Sequence, residues 1–359
     1  MPENRKIYIV TKKKKKRRKK LAVLILTPIL LLMLAGAGYV ANLYNKAEDA
    51  ANGAYESLDG TDQSIAELSN KVENTSILII GVDDSDTRNY SDSTRSDALM
   101  LATFNKKDKS VKLLSIPRDS YVYVPEKGDY TKINHAYALN GAKSSIETVE
   151  NLLDIPIDYY VRVNFYAFID IVDALGGIEV NVPYEMKEKD SEDRNDAIHL
   201  QEGLQTVNGE EALAFARTRK QDTDMLRGQR QQEVIQAIMD KAISASSLTK
   251  YTDVIAAIGD NMKTNMTFNQ MKAYMSFVLK NKGVDIEPIQ LKGQDSYIND
   301  TYYYELDEEA LEATKKSLKA HLSGTSTTAA DIAQEEQRTT DAALTDTQGI
   351  NDNLHQEDY

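Results

Sequence analysis

The chain has 359 residues, 43 Lys and Arg against 56 Asp and Glu for a formal net charge of −13, four His and no Cys. The absence of cysteine excludes a disulfide framework, a thiolate metal site and a cysteine nucleophile, and His135, His199, His321 and His355 lie too far apart for a zinc motif. The two ends differ so much in composition from the middle that a single globular region of about 245 residues is expected between them.

Residues 1–20 hold eleven Lys or Arg and one Glu, leaving 32 basic against 55 acidic side chains on the rest. LAVLILTPILLLMLAGAGYVA, residues 21–41, follows without a charged side chain. As a helix it would be roughly 32 Å long, enough for a hydrocarbon core of about 30 Å. The expectation is a signal-anchor with a cytoplasmic polybasic segment (1–20), a transmembrane helix (21–41) and everything later on the outer side of the cell membrane. A cleaved signal peptide ending near Ala35-Gly36-Ala37 is the competing reading. The basic block beside an apolar span reads as a topology signal that also attracts membrane lipid, so nucleic acid is not expected as a partner.

Residues 42–75 predict a partly helical stalk. SILIIGV (76–82) suits a buried strand, ALMLATF (98–104) and VKLLSIP (111–117) a hairpin, and YYVRVNF (159–165) and IEVNV (178–182) two more strands. AYALNGAKSSIETVENLL and FIDIVDALGG read as helices, the second ending at Gly176-Gly177. Asn208 should N-cap a short helix through Ala216. EVIQAIMDKAIS places Val234, Ile235, Ile238, Met239 and Ile243 on one stripe, and a last helix begins near Asp307. Interspersed strands and helices give an α/β (α+β) sandwich with a central mixed β-sheet flanked by helices, over residues 76–322. The tail, 323–359, is too poor in large apolar residues to order and is expected to be disordered.

Three clusters could carry chemistry. GVDDSDTRNYSDSTRSD (81–97) supplies Asp83 and Asp97 at the ends of neighbouring strands. One or two carboxylates are what Mg²⁺ uses when phosphates complete its shell, although a solvated acidic loop is the commoner meaning of such a run. SIPRD puts Arg118 and Asp119 just past a strand, where a lone pair would be a surface ion pair of little worth. The third cluster runs from Asn208 to Gln232. In it Arg217 and Arg219 are expected in extended chain, roughly 6.6 Å apart on one face, where two guanidiniums could clamp successive phosphates. In the next helix Asp224, Arg227, Arg230 and Gln231 fall on a stripe expected to lie opposite the apolar one, facing a cleft. The bias to arginine over lysine favours a site for a phosphate or pyrophosphate over a solvated face.

In this order, LIIGVDD, RSDALML, SIPRD, KINHAY, IVDALGGIEVNVP, VNGEEALAFARTR and DTDMLRGQRQQ closely resemble the LytR-CpsA-Psr family over residues 76–290. The resemblance implies an extracytoplasmic domain of a bacterium, by its chemistry a Gram-positive one, that encloses a polyprenyl chain. It also implies transfer of an anionic glycopolymer, such as wall teichoic acid or capsule, from an undecaprenyl-pyrophosphate carrier to the 6-hydroxyl of N-acetylmuramic acid in peptidoglycan. By the same resemblance Asp83 and Asp97 bind Mg²⁺, for which Mn²⁺ could substitute, and Arg118, Arg217, Arg219 and Arg227 hold the pyrophosphate, with Arg230 and Gln231 close by. The chain departs from the family in having Asp224-Met225-Leu226-Arg227 where D-F-G-R is frequent, which bears on the shape of the entry to that helix.

The residues alone leave three activities open. In phosphoryl transfer the metal and arginines would neutralise developing charge, and a carboxylate such as Asp224 could take the attacking hydroxyl's proton. A pyrophosphatase using water would need the same residues, and a membrane-tethered lipid-phosphate binder would need them without turnover.

Overall fold

The computed structural model describes residues 39, 41–42, 44–58, 71–83, 95–218, 224–244, 254, 261–281 and 283–325. Its frame is a six-stranded mixed sheet in the order β11-β6-β1-β2-β3-β12. The strands are β1 (Thr75–Val82), β2 (Ser96–Asn105), β3 (Ser110–Ile116), β6 (Tyr159–Asn164), β11 (Met262–Thr264) and β12 (Asp285–Gln290). β1 is antiparallel to β2 and parallel to β6, while β3 is antiparallel to β2 and parallel to β12. Pro288 falls in β12, at an edge of the sheet, where a missing backbone donor is tolerated.

The two faces of this sheet are used differently. Leu78, Ile80, Val82, Leu99, Leu101, Leu114 and Ile116 point to one face and are buried in a single cluster. That cluster is closed by α2 (His135–Leu153), by α7 (Glu308–Ser323) through Leu318, and by Val122 and Val124 of the hairpin β4 (Tyr121–Val124) and β5 (Asp129–Lys132). Each such side chain contributes roughly 1.5–3 kcal/mol on burial, so this face is the stability core. The opposite face, bearing Ile77, Ile79, Met100, Ala102 and Leu113, borders a cavity instead.

The far wall of the cavity is built from helices whose ends the sequence marks clearly. In α3 (Phe165–Leu175) the Asn164 side chain accepts from Ala167 N at 2.9 Å and Gly176 closes the helix at φ 80°. In α4 (Gly209–Arg217) Asn208 and Glu211 form a reciprocal capping box. A Cβ on Gly209 would lie 2.4 Å from the Ile169 carbonyl oxygen, so glycine lets α4 close onto α3. With α5 (Asp224–Ile243), these helices share a second cluster, Val172, Val180, Phe215 and Val234 among others, with β7 (Ile178–Val182) and β10 (Gly203–Val207). A short ribbon, β8 (Met186–Glu188) with β9 (Ile198–Leu200), adds to it, and α6 (Phe268–Lys280) completes the cavity wall. β13 (Gly293–Ile298) and β14 (Thr301–Leu306) form a further hairpin.

The expected architecture is corrected at its N-terminus. No helix among the described residues is long and apolar enough to cross a membrane. The signal-anchor, transmembrane helix and single-pass topology read from residues 21–41 are thus not among the elements of the described fold, an α/β sandwich; all but Tyr39 and Ala41 of that segment lie outside the described residues. The helix that follows, α1 at 44–54, carries Lys46, Glu48 and Asp49 and is too short and too charged to span. It packs onto the domain, with Ala47 and Ala51 buried against Phe268 and Tyr44 edge-on to Phe268 at 5.5 Å. Its chain then bonds to the sheet edge, Glu56 N donating to Thr264 O at 2.8 Å, so these residues dock where a stalk was expected. Residues 326–359, which include most of the expected disordered tail, lie outside the described residues.

Candidate functional site

The cavity holds about 550 Å³ and is lined almost entirely by hydrocarbon. Along α5 its wall is Gln231, Val234, Ile235, Ile238, Met239 and Ala242. At 1.5 Å per residue that stripe is roughly 16 Å long. The polar lining groups gather at one end, where Asp97, Asn164, Arg217 and Gln231 come from four separate elements, and Tyr274 stands apart from them.

Asp97 owes its position to a register break. Gly81 pairs with Ala98 and Val82 with Ser96, so Asp97 is an extra residue without a partner on β1. Strict alternation would send Asp97 to the face away from the cavity, yet both Asp97 and Ala98 line it. A β-bulge re-aims a side chain in this way. Asp83 follows Val82 just past the same end of the adjacent strand. Residues 84–94 lie outside the described residues.

Arg118, just past β3, donates from Nη1 to Asp97 Oδ1 at 2.5 Å and lies 3.4 Å from Asp119 Oδ2 through Nε. Asp119, buried, also receives Lys132 Nζ at 2.7 Å. The two clusters that were separate in the sequence thus meet in one chain of charges, Lys132 to Asp119 to Arg118 to Asp97. Burial, followed by the positive charge of Arg95, Lys132 and Lys127, holds the nearby His135 imidazole below its ordinary pKa against the opposing effect of Asp119. The N-terminal end of α3, at Asn164 and Phe165, opens onto the same mouth and adds the positive end of its dipole.

The arginine-rich segment divides its residues between site and scaffold. Arg217 is the last residue of α4 and not extended chain as expected, because Asn208 and Glu211 start a helix that runs one residue further. Its guanidinium stacks 4.4 Å over the Phe165 ring at the cavity mouth. Arg219 lies outside the described residues; Asp224 is the first residue of α5, and its side chain is not among those described. Arg227 is buried and stands one turn before Gln231 on the same helix face. The expected opposition of polar and apolar stripes is therefore corrected for Gln231, which lines the cavity together with Val234 and Ile235 at i+3 and i+4. Arg230 points elsewhere, donating from Nε to Phe215 O at 2.9 Å and from Nη2 to Thr218 O at 2.7 Å. It braces the carbonyl end of α4, a use different from the expected contact with an anion.

The model of the LytR_cpsA_psr family matches residues 39–320. This chain belongs to the LytR-CpsA-Psr family. A polyisoprenyl-teichoic acid–peptidoglycan teichoic acid transferase of Bacillus subtilis, TagT, is 40% identical over 295 residues, covering 81% of this chain and 91% of TagT. TagU of the same organism is 40% identical over 293 residues, covering 81% of this chain and 92% of TagU. Among solved structures, TagT bound to LIIa-WTA superposes with a TM-score of 0.62 at 39% identity, covering 74% of this chain and 98% of that one. TagT with bound octaprenyl pyrophosphate lipid gives 0.58 at 37% identity, over 72% and 93% of the two chains.

Within this family member, two groups that the sequence reading passed over fix how α5 sits. A Cβ on Gly228 would lie 2.6 Å from Ser115 Oγ, so glycine permits the helix to touch β3. Gln232 is buried and donates to Leu113 O at 2.7 Å and Ile289 O at 2.8 Å, tying α5 to β3 and β12. Asn164 was also missed, although an Asn between a strand pattern and a helix pattern is a legible N-cap.

Proposed function

We infer that the chain is a transferase that moves a glycopolymer from a polyisoprenyl-pyrophosphate carrier onto peptidoglycan. The observation that carries this is the cavity itself: a long hydrocarbon-lined space whose one polar end gathers arginine, amide and carboxylate groups. That combination matches a ligand with an isoprenoid tail and a pyrophosphate head, as bound in the TagT structure of comparable fold. Partners are the carrier lipid in the cavity, peptidoglycan as acceptor and the surrounding membrane lipid.

Within this reading the arginines do the binding. Arg217 at the mouth and Arg118, which reaches Asp97 there, are the groups to hold the pyrophosphate oxygens, with Gln231 and, one turn before it, Arg227 to extend the contact along α5. A hydroxyl of the acceptor, taken as the 6-hydroxyl of N-acetylmuramic acid, gives its proton to a carboxylate, for which Asp224 is the candidate, and forms a new bond to the sugar-side phosphorus. The bond from that phosphorus to the bridging oxygen breaks and polyprenyl phosphate leaves. Asp83 and Asp97 are the residues to hold Mg²⁺. Among the described residues no group of three or more acidic or histidine ligands converges, and two carboxylates at fixed strand ends suit an ion whose remaining shell is phosphate oxygen and water. Bound there, the ion would supply positive charge for the phosphoryl oxygens.

The test is incubation of the full-length protein with Mg²⁺, a lipid-pyrophosphate disaccharide donor and uncrosslinked peptidoglycan glycan, read by mass spectrometry. A glycan heavier by the sugar phosphate is the expected product. Free sugar phosphate without adduct would replace transfer by hydrolysis, and an intact donor that co-purifies with the protein would leave only binding.

A further inference from the structure

Beyond the arginine mouth lies a surface that the donor site does not use. β4 alternates Tyr121 and Tyr123 outward with Val122 and Val124 inward, the two valines belonging to the core on the sheet face away from the lipid cavity. Across the hairpin Tyr123 pairs with Tyr130 and Tyr121 with Lys132. The second hairpin joins them, Tyr303 meeting Tyr121 at 4.9 Å between ring centroids and Tyr302 meeting Tyr297 at 5.7 Å. Tyr130 lies 5.4 Å from Tyr121 and 5.6 Å from Tyr123. The Lys132 ammonium bridges the halves, 5.5 Å from the Tyr302 ring and 5.6 Å from the Tyr303 ring.

Four tyrosines, Tyr121, Tyr123, Tyr130 and Tyr303, therefore form one continuous aromatic surface with Lys132 at its edge, and Tyr123 and Tyr130 are exposed on it, at 38% and 52%. A bare aromatic cluster of this size is unusual on a monomer unless something lies on it. We propose that this surface is a saccharide platform that seats the acceptor glycan strand of peptidoglycan.

Three observations favour that occupant. Aromatic faces with hydroxyl rims stack on the C–H face of a pyranose while donating and accepting at its edge, and Tyr does this with little entropy to lose. The platform is also continuous with the reacting centre: Lys132, which joins its two halves, is ion-paired to Asp119, and Asp119 to Arg118. Backbone bonds reinforce the link, since Tyr304 N donates to Asp119 O at 2.9 Å. Finally, the lipid cavity lies on one face of the sheet and the β4–β5 hairpin belongs to the layer on the other, and the ion pairs from Lys132 through Asp119 and Arg118 to Asp97 join the two at one end of the strands. An in-line displacement needs its nucleophile to arrive opposite the departing lipid phosphate, and an acceptor held on this layer would approach from the side away from the cavity.

The inference rests on the transferase reading above, and the experiment separates the two. Full-length protein carrying Tyr123→Ala with Tyr130→Ala, and the matched pair of Phe substitutions, is assayed with lipid-pyrophosphate disaccharide donor and uncrosslinked glycan strands free of teichoic acid. The Ala pair is expected to raise the KM for glycan about tenfold, with kcat and the donor KM within twofold, and the Phe pair, which keeps the stacking rings and loses only the hydroxyls, to raise it about threefold. An unchanged glycan KM in a folded Ala variant would overturn the platform, as would a rise in donor KM instead. Loss of self-association in the Ala pair, with glycan KM intact, would assign the surface to a second copy of the chain and overturn it equally. If the pair fails to fold, Tyr130→Ala alone carries the same readings. Should wild type form no adduct at all, it is the transferase reading that falls. Co-sedimentation with purified peptidoglycan sacculi then decides the platform: binding weakened about tenfold by the Ala pair keeps it, and undiminished binding removes it.

Discussion

Arg217 and Arg230 stand thirteen positions apart in one arginine-rich segment, and substitution of each by Met should separate them completely. Arg230 gives two hydrogen bonds to backbone carbonyls, at 2.9 Å to Phe215 O and 2.7 Å to Thr218 O, and is buried. A hydrogen bond from a charged donor is worth about 1.5–3 kcal/mol, and the stranded carbonyls add a desolvation cost, while Met recovers some hydrocarbon burial. The net loss for Arg230→Met is therefore about 3 kcal/mol, or roughly 6–12 °C in the midpoint of a domain of this size. Arg217 is instead half-exposed and stacked on Phe165, so Arg217→Met should move the midpoint by only a few degrees. Its loss should fall on transfer, by on the order of 10²–10³-fold, the usual cost of one charge-stabilising donor in a transition state. The assay is thermal unfolding by circular dichroism beside steady-state transfer on the same preparations. Unfolding of Arg230→Met at the wild-type temperature, together with a collapse in turnover, would refute the division and return Arg230 to the pyrophosphate.

Other consequences can be checked in the same way. Ala242 lines the cavity on the last turn of α5, roughly 16 Å along the helix from Gln231, so Ala242→Trp should raise KM at least tenfold for an undecaprenyl donor and leave a geranyl donor, too short to reach it, nearly unaffected. Asp97→Asn, or EDTA on the wild type, should lower transfer by about 10²–10³-fold with Mg²⁺ restoring the EDTA-treated protein; full activity in EDTA would remove the metal from the mechanism. His321 bonds Thr103 Oγ1 and Ser110 Oγ, both at 2.9 Å, and burial, with Lys112 adding to it, lowers its pKa to about 4. The depressed pKa means that the unfolded chain takes up the proton first, so its stability contribution is complete above about pH 6.5 and is lost as pH falls toward 4. After allowance for solvent screening this is about 2 kcal/mol, and melting curves of His321→Asn should show a shallower acid slope.

Much of the scaffold is legible because it follows local rules. IEVNV is β7 residue for residue, Gly176 ends α3, and Asn208 with Glu211 starts α4, each from short-range chemistry. The short edge elements are harder: β11 has three residues and β12 contains a proline, so neither shows a strand pattern. The site is less legible because it depends on long-range register and on empty space. Nothing local tells that Asp97 sits in a bulge, since the break is defined by its partner strand. The stripe Val234, Ile235, Ile238 and Met239 would look the same facing a core or a cavity, as periodicity reports apolar environment and not its filling. Arg227 and Arg230 are alike as residues, yet one stands a turn before the cavity-lining Gln231 and the other lies under the carbonyls of a neighbouring helix.

The hollow face of the sheet gives the substrate a structural office. A compact protein spends its apolar residues on one another, but here the helices α3 to α6 and the strand face opposite them leave about 550 Å³ between them. When the isoprenoid enters, it completes a second hydrophobic layer that the polypeptide alone leaves open, and by mass action the loaded form is the more stable one. Carrier supply thus sets the durability of the enzyme as well as its rate.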